Sequence, residues 1–80
     1  MSEEVEEKIA VIDTWIECPR WAKLPSFLRK LALIHDVEIM KLEKETGWIR
    51  ETVFFRVEGS LEQMTAFRND LERAVREYNK

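Results

Sequence analysis

The spacing of apolar positions changes period along the chain, and each change marks an element. Ile9 to Ile16 (IAVIDTWI) is dense in β-branched and aromatic residues, which predicts a strand from about Lys8 to Glu17. Val5, Ile9, Ile12 and Ile16 also recur at helical spacing behind a possible cap at Ser2. The strand is preferred because β-branched residues cost helix stability. A helix there would change the whole order to α-α-β-β-α, and the alternative stays open at this level. Cys18-Pro19 is expected to break the strand. Pro25 then fits the first turn of a helix, where its missing N–H costs nothing. Leu24, Phe27, Leu28, Leu31 and Ile34 form the apolar stripe of that helix, Arg29 and Lys30 its outer side, and His35-Asp36 its end.

Asp36 to Lys44 and Trp48 to Glu58 read as a hairpin. Lys44-Glu45-Thr46-Gly47 suits a type I turn with Gly47 in the left-handed position and a three-residue loop. That register places Val53 opposite Ile39, Phe55 opposite Val37 and Glu51 opposite Lys41 on one side. On the other, Arg56 meets Asp36 and Phe54 meets Glu38. Apolar residues pair with apolar ones, and two opposite-charge pairs form. A two-residue loop would set Phe55 against Glu38 and is disfavoured. Ser60-Leu61-Glu62-Gln63 reads as a capping box. The helix it opens carries Leu61, Met64, Phe67, Leu71, Ala74, Val75 and Tyr78 on one stripe. Glu62 leads and Arg73, Arg76 and Lys80 trail, as the helix dipole prefers.

The predicted class is therefore α+β, with order β-α-β-β-α. Right-handed crossovers place both helices on one face of a three-stranded antiparallel sheet, with the third strand (ETVFFRV) in the middle. This pattern resembles a ferredoxin-like split β-α-β domain without its usual fourth strand.

That resemblance implies places where function would sit, and the residues there are informative. Amino-acid-binding domains of the ACT type carry a glycine in the loop after the first strand; here that loop is Glu17-Cys18-Pro19-Arg20-Trp21. Heavy-metal-binding domains place two cysteines there, and Cys18 is the chain's only one. RNA-recognition motifs need a basic-glycine-aromatic signature that Thr52–Val57 lacks. Acylphosphatase-like sites need a glycine-rich phosphate loop near the first strand, which is absent. Cys18 is read as a small apolar filler, the alternative being a thiol sensitised by Arg20. His35, the single histidine, is read as bonded to a backbone carbonyl at its helix end. Ser26 and Ser60 are explained as helix starters, and no pair of carboxylates stands out for acid–base work. No catalytic residue, cofactor or metal site is expected, and the chain is not expected to be an enzyme.

Composition narrows the class. Eighty residues, with 13 Lys+Arg against 16 Asp+Glu and a net charge of −3, fit one domain spanning 1–80. The acidic start (Glu3, Glu4, Glu6, Glu7) is expected to fray over residues 1–6. No apolar run approaches the ~20 residues that cross a bilayer. The start is acidic where a secretory signal would be basic, so a cytoplasmic location is expected. So short a chain is marginal alone.

The remaining signal is a surplus of apolar residues. If Val37, Ile39, Val53, Phe55 and Val57 face the helices, the opposite face carries Met40, Leu42, Trp48, Thr52 and Phe54. The first strand adds either Ile9, Val11 and Trp15 or Ala10, Ile12 and Ile16. Such a patch exceeds what a monomer normally exposes, and Ile9–Ile12 lacks the lysines or prolines that defend an edge. The expected role is a small interaction protein. Its partner is a second copy, as a homodimer or higher oligomer, or another protein that it serves as adaptor, regulator or subunit. The expected interface is Ile9, Val11, Trp15, Met40, Leu42, Trp48 and Phe54. Arg20, Lys23, Arg29 and Lys30 form a local basic cluster, a possible docking patch with Arg50 and Arg56. The alternative is a single-stranded nucleic-acid binder stacking bases on Trp15, Trp48 and Phe54 with Arg50 and Arg56 on phosphates. The acidic net charge opposes it.

Overall fold

The computed structural model describes residues 9–79. The residues expected to fray, the strand start at Lys8 and the last base, Lys80, lie outside them. The element order is β1 (Ile9–Pro19), a 3-10 turn (Arg20–Ala22), α1 (Leu24–His35), β2 (Glu38–Thr46), β3 (Arg50–Ser60) and α2 (Leu61–Tyr78). The three strands form one antiparallel sheet in the order β1-β3-β2. The strand reading of residues 9–16 therefore holds, and the β-branched run decides it.

Alternation along β3 sets the two faces. Val53, Phe55 and Val57 are buried against the helices, as are Leu24, Leu28, Leu31 and Ala32 of α1 and Met64, Phe67 and Leu71 of α2. Phe55 and Phe67 are the largest fully buried side chains, each worth about 1.5–3 kcal/mol of burial. Ile12 pairs with Val57 and Ile16 with Val53, so the even residues of β1 face the core. Ala10, Ile12 and Ile16 pack against it, whereas Ile9, Val11 and Trp15 lie outside.

β1 runs through Cys18 to Pro19, two residues past its expected end at Glu17 and across the expected break. Proline is tolerated there because it closes an edge strand, where its missing N–H leaves no gap in the ladder. α1 closes on Asp36, whose φ of 57° lies in the left-handed region and whose N–H reaches Ala32 and Leu33 carbonyls. Ile34 was expected on the buried stripe but is exposed, and Ala32 takes the buried position instead. At the start of α2 the capping box forms as expected. Ser60 Oγ accepts the Gln63 N–H at 3.2 Å, and Gln63 Oε1 accepts the Ser60 N–H at 3.2 Å. Leu61, expected on the stripe, stays exposed ahead of the first buried turn.

The hairpin register departs from the expectation. Ile39 pairs with Val57, Lys41 with Arg56, Leu42 with Phe55 and Thr46 with Glu51. The ladder slips by one residue between Ile39 and Lys41, which leaves Met40 as a bulge. Because of it, both Ile39 and Leu42 pack on the core side, where strict alternation would turn one of them out. The strands also continue further, so the turn falls at Trp48-Ile49 and not at 45–47. Gly47 N–H donates to the Arg50 carbonyl at 2.8 Å, and no glycine has positive φ. What Gly47 supplies is room, since a Cβ there would meet the Arg50 carbonyl oxygen at 3.0 Å.

Candidate docking edge and groove

β3 occupies one side of β1, and no other strand lies on its far side among the described residues. Eleven residues of backbone form that edge, with no lysine along it. Under the edge, between β1 and α2, lies a groove of about 640 Å³. Its β1 wall is Val11, Ile12, Thr14, Trp15 and Ile16. Its α2 wall is Leu71 and Val75 with Arg68, Glu72 and Arg76 along the rim. Thr14 shows the consequence most directly: it faces the helix side of the sheet yet is exposed. The core continues under β1 and then stops short of a cover.

The outer face of the sheet is more polar than expected. Its cross-strand rows are Val11–Glu58–Glu38, Asp13–Arg56–Lys41, Trp15–Phe54–Glu43 and Glu17–Thr52–Glu45. Trp15 is 59% exposed and stands beside half-buried Phe54. The Asp13–Arg56 ion pair, at 2.9 Å, separates them from Val11 and Ile9. Of the expected interface residues, Ile9, Val11, Trp15 and Phe54 do lie on this face, and Met40 is exposed at the bulge. Leu42 does not, because the bulge turns it inward. Trp48 does not either: it is 91% exposed at the hairpin tip, beyond the last strand pair. Among the described residues, charged and polar side chains interrupt the apolar ones on this face.

The arginines have duties that position elements. Arg50 Nε bonds Glu17 at 3.1 Å, and its Nη2 reaches Asn79 Oδ1 at 2.7 Å, while Asn79 Nδ2 bonds the Glu17 carbonyl at 3.3 Å. This ties the C-terminal end of α2 to β1. Arg56 is held by Asp13, and not by Asp36 as the predicted register had it. Arg20 Nη1 donates to the Trp48 carbonyl at 3.1 Å, which fixes the 3-10 turn against the hairpin tip. Lys23 and Arg29 come together with Arg20 around a second cavity, and Lys44 of β2 joins them. Lys30 lines a neighbouring depression beside Tyr78.

The two residues weighed for chemistry are structural in their surroundings. Cys18 is fully buried, and burial pushes its thiol above the ordinary value of 9.0, with Arg50 opposing and Glu51 and Glu17 adding to the rise. A protonated, buried thiol is a poor nucleophile. His35 Nε2 lies 2.7 Å from Asp70 Oδ2 on α2, so a carboxylate takes the place of the expected backbone carbonyl. Sequence spacing could not show this, because the pairing spans 35 positions. Among the described residues no three His, Cys, Asp or Glu side chains gather as a metal set, and no helix is long and apolar enough to cross a membrane.

Comparison with protein-family models, with curated proteins and with solved structures found no match to this chain.

Proposed function

We propose that the chain is an assembly protein that joins a second copy of itself along β1. The observation that carries this is the β1 edge, which has neither lysine nor proline from Ile9 to Cys18, above an apolar groove. The arrangement resembles a ferredoxin-like split β-α-β domain, in which a fourth strand lies beside the first. Among the described residues no strand flanks β1 on that side, which leaves backbone groups and groove-lining side chains for an incoming strand. Strand addition satisfies the first, and the incoming inward-facing residues fill the second.

β1 is suited to pair with its own copy. Laid antiparallel about Thr14, it sets Ile12 of one copy opposite Ile16 of the other, and Thr14 opposite Thr14. Two three-stranded sheets then become one, with helices on the same side. Such a two-fold contact uses one patch twice, the commonest solution for small proteins. A binding role rather than catalysis accords with a buried Cys18 and a His35 committed to Asp70. A nucleic-acid role has less support, because Arg50 and Arg56 are engaged by Glu17 and Asp13 and the outer face carries several glutamates.

Sedimentation velocity across the micromolar range tests the proposal. The chain is expected to sediment at twice its 9.6 kDa mass. Val11→Lys, which places a lysine on the edge, is expected to return it to monomer. A wild-type chain that stays monomeric at every concentration would overturn the proposal.

A further inference from the structure

The chain is acidic overall, yet four cations converge on one cavity of about 390 Å³. Arg20 comes from the 3-10 turn, Lys23 from the residue joining it to α1, Arg29 from the second turn of α1, and Lys44 from β2. Among the described residues one carboxylate, Glu51, lines it, and it is buried. It accepts the Thr46 hydroxyl at 3.1 Å and lies 3.7 Å from Lys44 Nζ, so its charge is already engaged. Arg20, Lys23 and Arg29 have no carboxylate within ion-pair distance among the described residues. Outside the cavity, among the described residues, Arg50, Arg56, Arg68 and Arg73 each have an acid within ion-pair distance, and Arg76 does not.

Like charges around a concave surface repel one another and focus a positive field into it. α1 begins at this cavity with no acidic residue in its first turn and no side-chain cap, so the positive end of its dipole adds to that field. Two features hold the cluster in place. Arg20 is fixed by its bond to the Trp48 carbonyl, and Lys23 sits in the left-handed region at φ 52°. A lysine held there is placed by its surroundings rather than by its own preference.

We propose that this cavity binds the dianionic phosphate of a small phosphomonoester. Two arginines supply the planar forks that match phosphate oxygens, lysines supply point charges, and the Ser26 hydroxyl on the wall adds a neutral donor. The volume falls within the range of small-molecule sites, about 300–1,000 Å³, and leaves room for the ester's organic portion. The site lies at the Pro19 end of the sheet, and its lining shares no residue with the β1–α2 groove. Its occupancy is therefore independent of self-association.

The test is amide NMR of the ¹⁵N-labelled chain, titrated at constant ionic strength with inorganic phosphate, glycerol 3-phosphate and, as a monoanion control, acetate. Saturable shifts are expected over residues 20–29 and 44–51, with phosphate and its ester both tighter than acetate. If the ester binds more tightly than inorganic phosphate, the organic portion also makes contacts; equal affinity places all the recognition on the phosphate. The exposed double variant Lys23→Gln, Arg29→Gln is expected to weaken both by about tenfold or more, while Lys30→Gln, outside the cavity, leaves them unchanged. Shifts that never saturate, that follow every surface lysine, or that fall as far with Lys30→Gln would overturn the proposal.

Discussion

Asp13 and Arg56 face each other across neighbouring strands on the open side of the sheet, with Arg56 Nη2 2.9 Å and Nε 3.2 Å from the same carboxylate oxygen. Both residues are about half exposed, so the pair adds little stability. Its effect is on the surface: it splits the apolar residues of this face into Ile9 with Val11 and Trp15 with Phe54. Phe54→Glu is therefore expected to leave self-association nearly unchanged, because the proposed contact runs along β1. Asp13→Leu fuses the two pieces, and light scattering is expected to show larger, concentration-dependent assemblies.

The capping box at the start of α2 anchors the helix that forms one wall of the groove. Ser60→Ala removes the acceptor for the Gln63 N–H and is expected to cost about 1 kcal/mol. Urea denaturation should show this as a lower midpoint at unchanged slope. Ser60→Asp restores an acceptor beside the helix start and is expected to recover most of the loss.

Gly59 lies where the end of β3 passes the start of β2. A Cβ at that position would meet Val37 Cγ1 at 2.9 Å and Gln63 Oε1 at 3.4 Å. Valine is stiff at χ1 and cannot swing aside. Gly59→Ala is expected to destabilise by about 1–3 kcal/mol, and the double variant with Val37→Ala to recover part of that. Full additivity of the two losses in thermal melts would show that they do not meet.

Cys18 predicts a pH dependence with a definite sign. Its thiol is raised in the folded state, mainly by burial. Folding therefore favours the protonated form, and the contribution is fully present below the thiol's ordinary value of 9.0. It is lost as pH rises through the folded value, because the unfolded chain releases the proton first. The wild type should lose stability faster than Cys18→Ala as pH increases above 9. A thiol reagent should label Cys18 slowly until the chain unfolds.

Much of this was legible from local pattern. The β-branched density of Ile9–Ile16, the proline at the head of α1 and the Ser60–Gln63 box each act over a few residues, and each element formed where it was read. The central place of β3 followed from the element order with right-handed crossovers, and its apolar composition suits it. The hairpin register did not follow, because Ile39 opposite Val53 and Ile39 opposite Val57 are equally good apolar pairs. What separates them is burial of Leu42, and that needs a bulge at Met40 with no local sequence mark. The change of register as a whole, four residues at Ile39 and five at Lys41, carried Trp48 out of the strand and into the turn.

The candidate site was half visible. Alternation named both possible sets of β1 residues, and only pairing with β3 chose Ile9, Val11 and Trp15 for the outside. The α2 wall of the groove was missed, although Leu71 and Val75 were already on the apolar stripe. Arg68 and Glu72 stand one flank away at helical spacing, and that width was the available signal. The basic cluster was read on one segment, and Lys44 joined it only through the fold.

Among the described residues β1 pairs with β3 alone, and its partners are distant: Pro19 meets Arg50 and Ile9 meets Ser60. Every bond of that ladder closes a long loop, whereas β2 and β3 meet through a tight turn and α2 follows β3 directly. Loop closure of this kind is an entropic debt met before any contact returns it. The hairpin and α2 are thus expected to organise first and β1 to dock last. The strand offered to a second copy would then be the one that arrives at the end of folding. Until it arrives, the β1-facing side of β3 is open to the same strand from a neighbouring chain, so in a concentrated solution exchange of β1 between copies competes with its docking at home.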